Sequence, residues 1–431
     1  MIYRRSWRIS KCMMWIGIKK TVTSGLSKFL IANMLYSLST ALVSLLSPSI
    51  LPQVVYEDFI YIFQMVLFLS GIFTAGLIPG LLRFYKYDGQ KYKSYYFMTA
   101  GVIMLALLSI GIFPHNFLSS WLKIGTDAIA DSLFVYLSVI FSLFFIFNRG
   151  FQTAKDDYSS IFTDVVVIFV ARLLLLLAVR VFGISDPYVI LVMVCILPFL
   201  YEAWIFVTSC LKTRAASLSD YPDFLKFIFK ISLAGVIFTA TGRLFIITSR
   251  FTDDSLAAAL SFAAGLTGII SIFNTTFTSV FIGKLDYRNH DGIVSYLKRI
   301  KKYLLPFLAA TLLMGAGVFF FVTLIYPDNT LQAAIISSLT VVHCALMAYT
   351  GLITLMTKTY DLLNTQILLN VASFVIVWLF VKFVSGALNE YVSYIIINSV
   401  MFLMELVLAL LVVRHIGIQG KTILNQDHEN A

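Results

Sequence analysis

Long apolar stretches alternate with short polar connections along nearly the whole chain. A helix of about 20 apolar residues is long enough to cross a bilayer. Twelve windows of that kind lie at 29–46, 60–82, 95–113, 129–147, 162–182, 188–210, 225–247, 257–282, 304–326, 333–355, 365–384 and 391–413. Runs such as Val165–Ala171 do not alternate between apolar and polar residues, as the strands of a membrane barrel would. We therefore predict an all-α polytopic membrane protein with about 12 transmembrane helices.

The composition agrees with this pattern and excludes several classes of protein. Of the 431 residues, 59% are hydrophobic and only 13% are charged, with a mean hydropathy of +0.90. A soluble globular domain carries about 25% charged residues. Soluble enzymes, nucleic-acid binders and secreted disulfide scaffolds are therefore excluded, and the four cysteines show no C-x-x-C spacing.

Lysine and arginine residues follow the windows in an alternating order. Connections on one side of the predicted membrane, with both termini, carry 25 of these residues, and connections on the other side carry 2. Basic residues accumulate on the cytoplasmic side of membrane proteins. We expect both termini to be cytoplasmic and attribute the net charge of +10 to orientation, not to nucleic-acid binding.

The chain also repeats itself. Lys28-Phe29-Leu30 at the mouth of the first window corresponds to Lys226-Phe227-Ile228 at the mouth of the seventh, and the later windows keep an offset of about 203 residues. An offset of six helices preserves topology, so the halves form two six-helix lobes related by a parallel repeat. The predicted organisation is a cytoplasmic basic N-terminal segment (1–28), an N-lobe (29–210), a cytoplasmic inter-lobe linker (211–224), a C-lobe (225–413) and a cytoplasmic C-terminal tail (414–431).

Motifs for catalysis or nucleotide binding are missing from the sequence. There is no G-x-x-x-x-G-K-[ST] loop and no H-E-x-x-H pair. We therefore expect no cofactor and no metal, and active transport would depend on an ion gradient. The connections on the sparsely charged side are too short for a catalytic domain, so we expect a protein that is not an enzyme.

Ionisable residues within the apolar windows are costly and point to a cavity or a partner. Arg172 and Glu202 lie at matching depths in the fifth and sixth windows. They form either a structural ion pair or part of a gate or substrate site. The full set of such residues comprises Asp164, Arg172, Glu202, Arg243, His343 and Glu405.

Glu405 lies 203 residues after Glu202 and is its repeat equivalent, whereas the equivalent of Arg172 is Val375. Glu405 therefore has no partner in its own hairpin and either couples transport to a proton or cation or reaches the membrane interface. His343 is either a hydrogen-bonded packing residue or a proton carrier. The predicted coupling and ion-pair residues are Glu405, Glu202, Asp164 and His343.

Three arginines are candidate contacts for an anionic substrate. Arg243 lies seven residues before Arg250, on nearly the same helical face, and either binds phosphate or carboxylate groups or reaches lipid headgroups. Arg83 follows a Gly-x-x-x-Gly segment, residues 76–80, which predicts close helix packing and a hinge at its proline. Arg172 completes the set. The polar segment 274–278 faces either the lumen or a neighbouring helix.

The residues from Glu57 through Gly76-Leu77-Ile78-Pro79-Gly80 to Tyr85 resemble the first two helices of the Wzx-type polysaccharide-unit flippases, within the multidrug/oligosaccharidyl-lipid/polysaccharide (MOP) exporter superfamily. Leu225–Lys284, with Arg243 near the outer end of its first helix, resembles the seventh and eighth helices of that family. One departure is the triplet Thr241-Gly242-Arg243, since the family commonly has an acidic residue before this arginine.

The resemblance implies transfer of an undecaprenyl-diphosphate-linked oligosaccharide across the bacterial inner membrane, from the cytoplasmic to the periplasmic leaflet, for O-antigen, lipopolysaccharide or capsule synthesis. An ion gradient would drive this transfer through alternating access. Whether the chain acts beside a polysaccharide polymerase and a chain-length regulator stays open. The alternatives are a drug/cation antiporter of the same superfamily and a membrane polysaccharide polymerase.

Overall fold

The computed structural model describes residues 27–110, 129–213, 216–267, 304–326, 330–354 and 362–429, together with 297, 300–302 and 357. Within these ranges the chain forms helices and connections, without a strand. The polar segment 274–278 and most of the basic N-terminal segment lie outside the described residues.

The helices follow the predicted order of spans. The N-lobe contains α1 (Ser27–Ile50), α2 (Gln53–Thr74), α3 (Leu77–Phe84), α4 (Gly89–Ile110), α5 (Ile129–Ala154), α6 (Tyr158–Phe182), α7 (Pro187–Cys195) and α8 (Leu200–Leu211). The C-lobe contains α9 (Tyr221–Ser249), α10 (Asp254–Thr267), α11 (Leu304–Ile325), α12 (Thr330–Thr354), α13 (Leu363–Phe383) and α14 (Glu390–Glu429). Within the described residues, ten helical segments are long and apolar enough to cross a membrane. Helices α4 and α10 overlap the third and eighth apolar windows of the sequence.

Helix packing confirms the predicted parallel repeat. In the N-lobe α1 packs on α6, and in the C-lobe their equivalents α9 and α13 pack on each other in the same way. The α7–α8 span packs on α5, just as α14 packs on α12. The protein is therefore an all-helical membrane protein with two six-helix lobes.

Two predicted spans are interrupted, and two helix ends differ from the apolar windows. The second span breaks between α2 and α3, and the sixth contains a 3-10 turn at Leu197–Phe199. Pro79 and Pro198 lie at these breaks, and proline cannot donate the backbone hydrogen bond that continues a helix. Helix α9 begins four residues before its window, with Pro222 in its first turn. Helix α14 continues past 413, where its apolar window ends.

The lobes meet closely where α2 and α3 cross α9. A Cβ atom added at Gly76 would lie 2.3 Å from the carbonyl oxygen of Ile228, and one added at Gly80 would lie 2.7 Å from the Ile228 side chain. Only glycine permits this approach between helices. The predicted packing notch is thus confirmed, while its role as a hinge stays a prediction.

Contacts between the lobes occur at both ends of the bundle. We call the end that carries Lys28, Arg83 and Lys91 the basic face and the other end the opposite face. At the basic face, Lys91 of α4 forms an ion pair with Asp220, which precedes α9. At the opposite face, Arg250 after α9 forms an ion pair with Asp58 of α2.

Candidate functional site

Arg172 is enclosed in the N-lobe, where its described hydrogen-bond acceptors are all neutral. Its side chain is 1% exposed. Its Nε donates to the Val194 carbonyl at 3.1 Å, and its Nη1 donates to the hydroxyls of Ser39 and Thr40 at 2.9 and 3.2 Å. The Val194 carbonyl is available because Pro198, four residues later, has no N–H to donate to it. Arg172 thus supplies the hydrogen bond that the break in the sixth span leaves unmade.

Glu202 lies on the other side of that break and does not meet Arg172. Its Oε2 accepts a hydrogen bond of 2.7 Å from Asn148 Nδ2, and the same amide donates to the Glu202 carbonyl at 2.8 Å. Asp164 accepts from Gln152 Nε2 at 2.7 Å. The ion-pair alternative for Arg172 and Glu202 is therefore wrong: α8 turns Glu202 toward α5, although the depths of the two residues match.

The C-lobe contains a cavity of about 600 Å³. The described residues that line it belong to helices α9, α10, α12, α13 and α14 of this lobe. The side chains are mixed, with one arginine, one glutamate, one histidine, neutral amides, hydroxyls, methionines and aromatic rings. The polar and charged members that bear on function are Arg243, His343, Thr354, Gln366, Asn398 and Glu405.

Arg243 presents an uncompensated positive charge to this cavity. Its Nη2 donates to Gln64 Oε1 of α2 at 3.3 Å, which links the two lobes. Its Nη1 is buried from solvent and has no hydrogen-bond partner among the described residues. No described carboxylate forms an ion pair with Arg243. A guanidinium in this condition is suited to an anionic ligand.

Glu405 lies toward the other end of the cavity. Its Oε1 accepts a hydrogen bond of 2.6 Å from Thr354 Oγ1, and its Oε2 has no partner among the described residues. Arg243 is six residues, roughly 9 Å, from the end of α9 at the opposite face. Glu405 is fifteen residues, roughly 22 Å, from the start of α14 at that face. The cavity therefore separates its two charges along the membrane normal.

His343 lies on the wall between these ends and makes no hydrogen bond with a described residue. The interpretation as a hydrogen-bonded packing residue is thus not supported within that part of the chain. Arg83 lies elsewhere: it is exposed at the basic face, with its guanidinium 4.4 Å from the Phe227 ring. The structure brings together Arg243, His343 and Glu405 and leaves Arg172, Glu202, Asp164 and Arg83 outside the cavity.

Sequence reasoning missed three residues that bear on the site. Asn398 and Gln366 are neutral amides on the cavity wall, and Gln64 holds Arg243 from the other lobe. The only available signal was the spacing of Tyr394, Asn398 and Glu405, which puts them on one face of α14. Such a stripe is equally typical of a packed interface.

Comparisons with known proteins support the fold. No protein-family model and no curated protein sequence matches the chain. Among solved structures, the lipid II flippase MurJ in an inward closed conformation superposes with a TM-score of 0.64 at 14% identity, covering 90% of this chain and 87% of that one. A MOP superfamily transporter from Pyrococcus furiosus gives 0.62 at 12% identity (92% and 98%), and the eukaryotic MATE transporter AtDTX14 gives 0.59 at 16% (91% and 95%). The chain thus shares its fold with MOP superfamily transporters and flippases.

Proposed function

We propose that this protein is a flippase that moves an undecaprenyl-diphosphate-linked oligosaccharide from the cytoplasmic to the periplasmic leaflet of a bacterial inner membrane. The product would supply O-antigen or capsular polysaccharide synthesis. The observation that carries the proposal is Arg243, a guanidinium with a free donor on the wall of a 600 Å³ cavity. A diphosphate accepts bidentate hydrogen bonds from such a group, and its attraction is strong where water is scarce.

The other two arginines take different parts in this proposal. Arg83 is exposed at the basic face, where it would meet an anionic headgroup before the cavity does. Arg172 has its donors bonded to Val194, Ser39 and Thr40, so we assign it to the integrity of the N-lobe. Inside the protein, the negative charge of the diphosphate would therefore be bound by Arg243.

Alternating access would exchange the contacts at the two faces. The Lys91–Asp220 pair and the Arg250–Asp58 pair both join the lobes, and the notch at Gly76 is the point where their helices are closest. Breaking one pair while keeping the other opens one face at a time. Glu405 has an oxygen free to bind a proton or cation, whereas Glu202 is held by Asn148, so we assign coupling to Glu405.

In this proposal the basic face is cytoplasmic, both termini lie on that side, and the lobes extend over 29–210 and 225–413 with the linker 211–224 between them. A polymerase and a chain-length regulator are the partners that would use the exported units. The bilayer holds the lipid tail throughout, because the cavity has space only for a headgroup.

One observation favours a second candidate, a drug/cation antiporter. The free Glu405 oxygen shares the cavity with Met347 and Met401, and methionine surfaces adapt to varied apolar ligands. Arg243 opposes a cationic substrate in the same space, so we place this candidate second.

Deletion of the gene in its own host tests the proposal. With a probe that reaches only the periplasmic face, we expect complete lipid-linked units to accumulate out of reach of the probe. Wild-type protein should restore access and the Arg243→Gln variant should not. Units that reach the probe but stay unpolymerised would indicate a polymerase. Unchanged units together with increased sensitivity to lipophilic cations would indicate the antiporter.

A further inference from the structure

The transport proposal uses the charged side chains of the C-lobe cavity and leaves its neutral polar side chains unassigned. Asn398 donates one hydrogen bond, from Nδ2 to the Tyr394 carbonyl at 2.8 Å, and its Oδ1 has no partner among the described residues. Gln366 accepts at Oε1 from Thr357 at 3.0 Å, which leaves its amide N–H groups without a described partner. His343 adds a ring that can donate and accept. The cavity wall therefore offers a hydrogen-bond acceptor at Asn398, donors at Gln366 and a ring at His343 that can do both.

This combination matches hydroxyl groups better than it matches ions. A hydroxyl both donates and accepts, so separate hydroxyls of one ligand can satisfy Asn398 Oδ1 and Gln366 Nε2. The rings of Phe238, Phe245 and Tyr394 also line the cavity and offer flat apolar contact to the carbon faces of a cyclic ligand. A volume of about 600 Å³ lies within the range of small-molecule sites, which are mostly apolar with a few placed polar groups.

The position of the cavity adds a second argument. The lining residues that the structure describes all belong to the C-lobe, from Phe238 to Glu405. A ligand held there moves with one lobe and keeps its hydrogen bonds while the lobes change their relative position. Arg243, which also contacts Gln64 of the N-lobe, stands where this cavity meets the other lobe.

We propose that the C-lobe cavity is the subsite for the uncharged, hydroxyl-rich part of the cargo, with its anionic group at Arg243, and that Asn398 is a specificity-determining residue. This inference rests on the proposed flippase function. It assigns the diphosphate and the sugars to adjacent positions within one lobe.

The test compares the affinities of two lipids for the purified full-length protein in lipid nanodiscs. One probe is polyprenyl diphosphate without sugar, and the other is the same diphosphate carrying the oligosaccharide extracted from the host. We expect the sugar-bearing lipid to bind more tightly. Asn398→Leu should weaken its binding about 3- to 10-fold, the effect of losing a neutral hydrogen bond, and leave the sugar-free lipid unchanged.

Ser399→Leu is the matched control, because Ser399 is the next residue of α14, exposed and absent from the cavity wall. It should change neither affinity. Equal binding of the two lipids by wild-type protein, or equal weakening of both by Asn398→Leu, would overturn the subsite and leave the flippase proposal intact. Failure of both lipids to bind, with tetraphenylphosphonium bound instead in a manner lost in Glu405→Gln, would overturn the flippase proposal as well.

Discussion

The two lobes share their helix order and packing, yet equivalent positions carry side chains of different size. Phe145 of α5 is 2% exposed and packs with its ring centre 4.8 Å from Tyr36 and 5.5 Å from Phe199. Its repeat equivalent, 203 residues later, is Ala348 on the cavity wall. The neighbouring pair follows the same rule, with Phe144 in the N-lobe and Met347 in the C-lobe.

The equivalent glutamates show the same difference in polar groups. Asn148 fixes Glu202, but the equivalent of Asn148 is Gly351, so Thr354 supplies a single hydrogen bond to Glu405. Helix α12 thus carries the small residues Ala348 and Gly351, both on the cavity wall, where α5 carries Phe145 and Asn148. A repeated fold thus allows equivalent positions in the two lobes to hold different side chains while the helix packing stays the same.

Exchange of residues between equivalent positions should produce the largest effects. We expect Phe145→Ala to lower the free energy of unfolding by about 3–5 kcal/mol, because a large buried ring leaves a cavity. We expect Ala348→Phe to abolish substrate transport with little loss of stability, because the added ring fills a space that already exists. Thermal unfolding and leaflet-access assays on reconstituted vesicles measure the two effects. Normal transport by Ala348→Phe would show that the cavity is not used.

Substitutions of Arg243 and Arg172 should likewise affect different properties, transport for the first and stability for the second, with smaller effects. Arg243→Gln should lower transport about 30- to 100-fold, since it loses a charged contact with the substrate, and should leave the unfolding temperature nearly unchanged. Arg172→Gln should lower the unfolding free energy by about 1–3 kcal/mol, because the buried Val194 carbonyl loses its donor. Lysine at each position is the matched control for charge. The reverse pattern would place the substrate in the N-lobe.

The third comparison concerns the two glutamates and the dependence of transport on pH. If Glu405 couples transport to protons, Glu405→Gln should remove the change in transport rate between about pH 6 and about pH 8. Glu202→Gln should preserve that change, because an amide oxygen can still accept from Asn148. Initial transport rates in vesicles with an imposed pH gradient provide the measurement. An unaltered pH profile in Glu405→Gln would remove this residue from the coupling proposal.

Apolar length, charge asymmetry and the internal repeat were sufficient to predict the fold. These signals are properties of the chain that a bilayer enforces, and they do not depend on details of packing. The interruption at Leu197–Phe199 could be suspected from Pro198. That Arg172 would satisfy the freed Val194 carbonyl could not, because it depends on how α6 lies against α7.

The candidate site was predicted only in part. Arg243, His343 and Glu405 stood out because ionisable groups are rare in apolar helices, and all three line the cavity. The Arg172–Glu202 pair was predicted from depth alone, which ignores the rotation of each helix about its axis. Asn398 carried no such signal, since neutral amides also serve helix packing. The hollow interior itself depends on small residues whose effect appears only when five helices are assembled.

The smallest effect on transport is expected for Asp220 in the linker. Its substitution tests whether the pH dependence of transport arises in the C-lobe cavity or at the contact between the lobes. A hydrogen bond from Lys91 holds the pKa of Asp220 below its usual value. A carboxylate with a lowered pKa in the folded protein keeps its ion pair above the ordinary value of about 3.9 and loses it only as the pH falls further. The pair should therefore stay formed throughout the range in which Glu405 is tested. Asp220→Asn should change transport less than about threefold, as for exposed pairs in general, and leave its pH profile intact. If Asp220→Asn flattens the profile instead, the proton-sensitive step is the contact between the lobes at the basic face and not the C-lobe cavity.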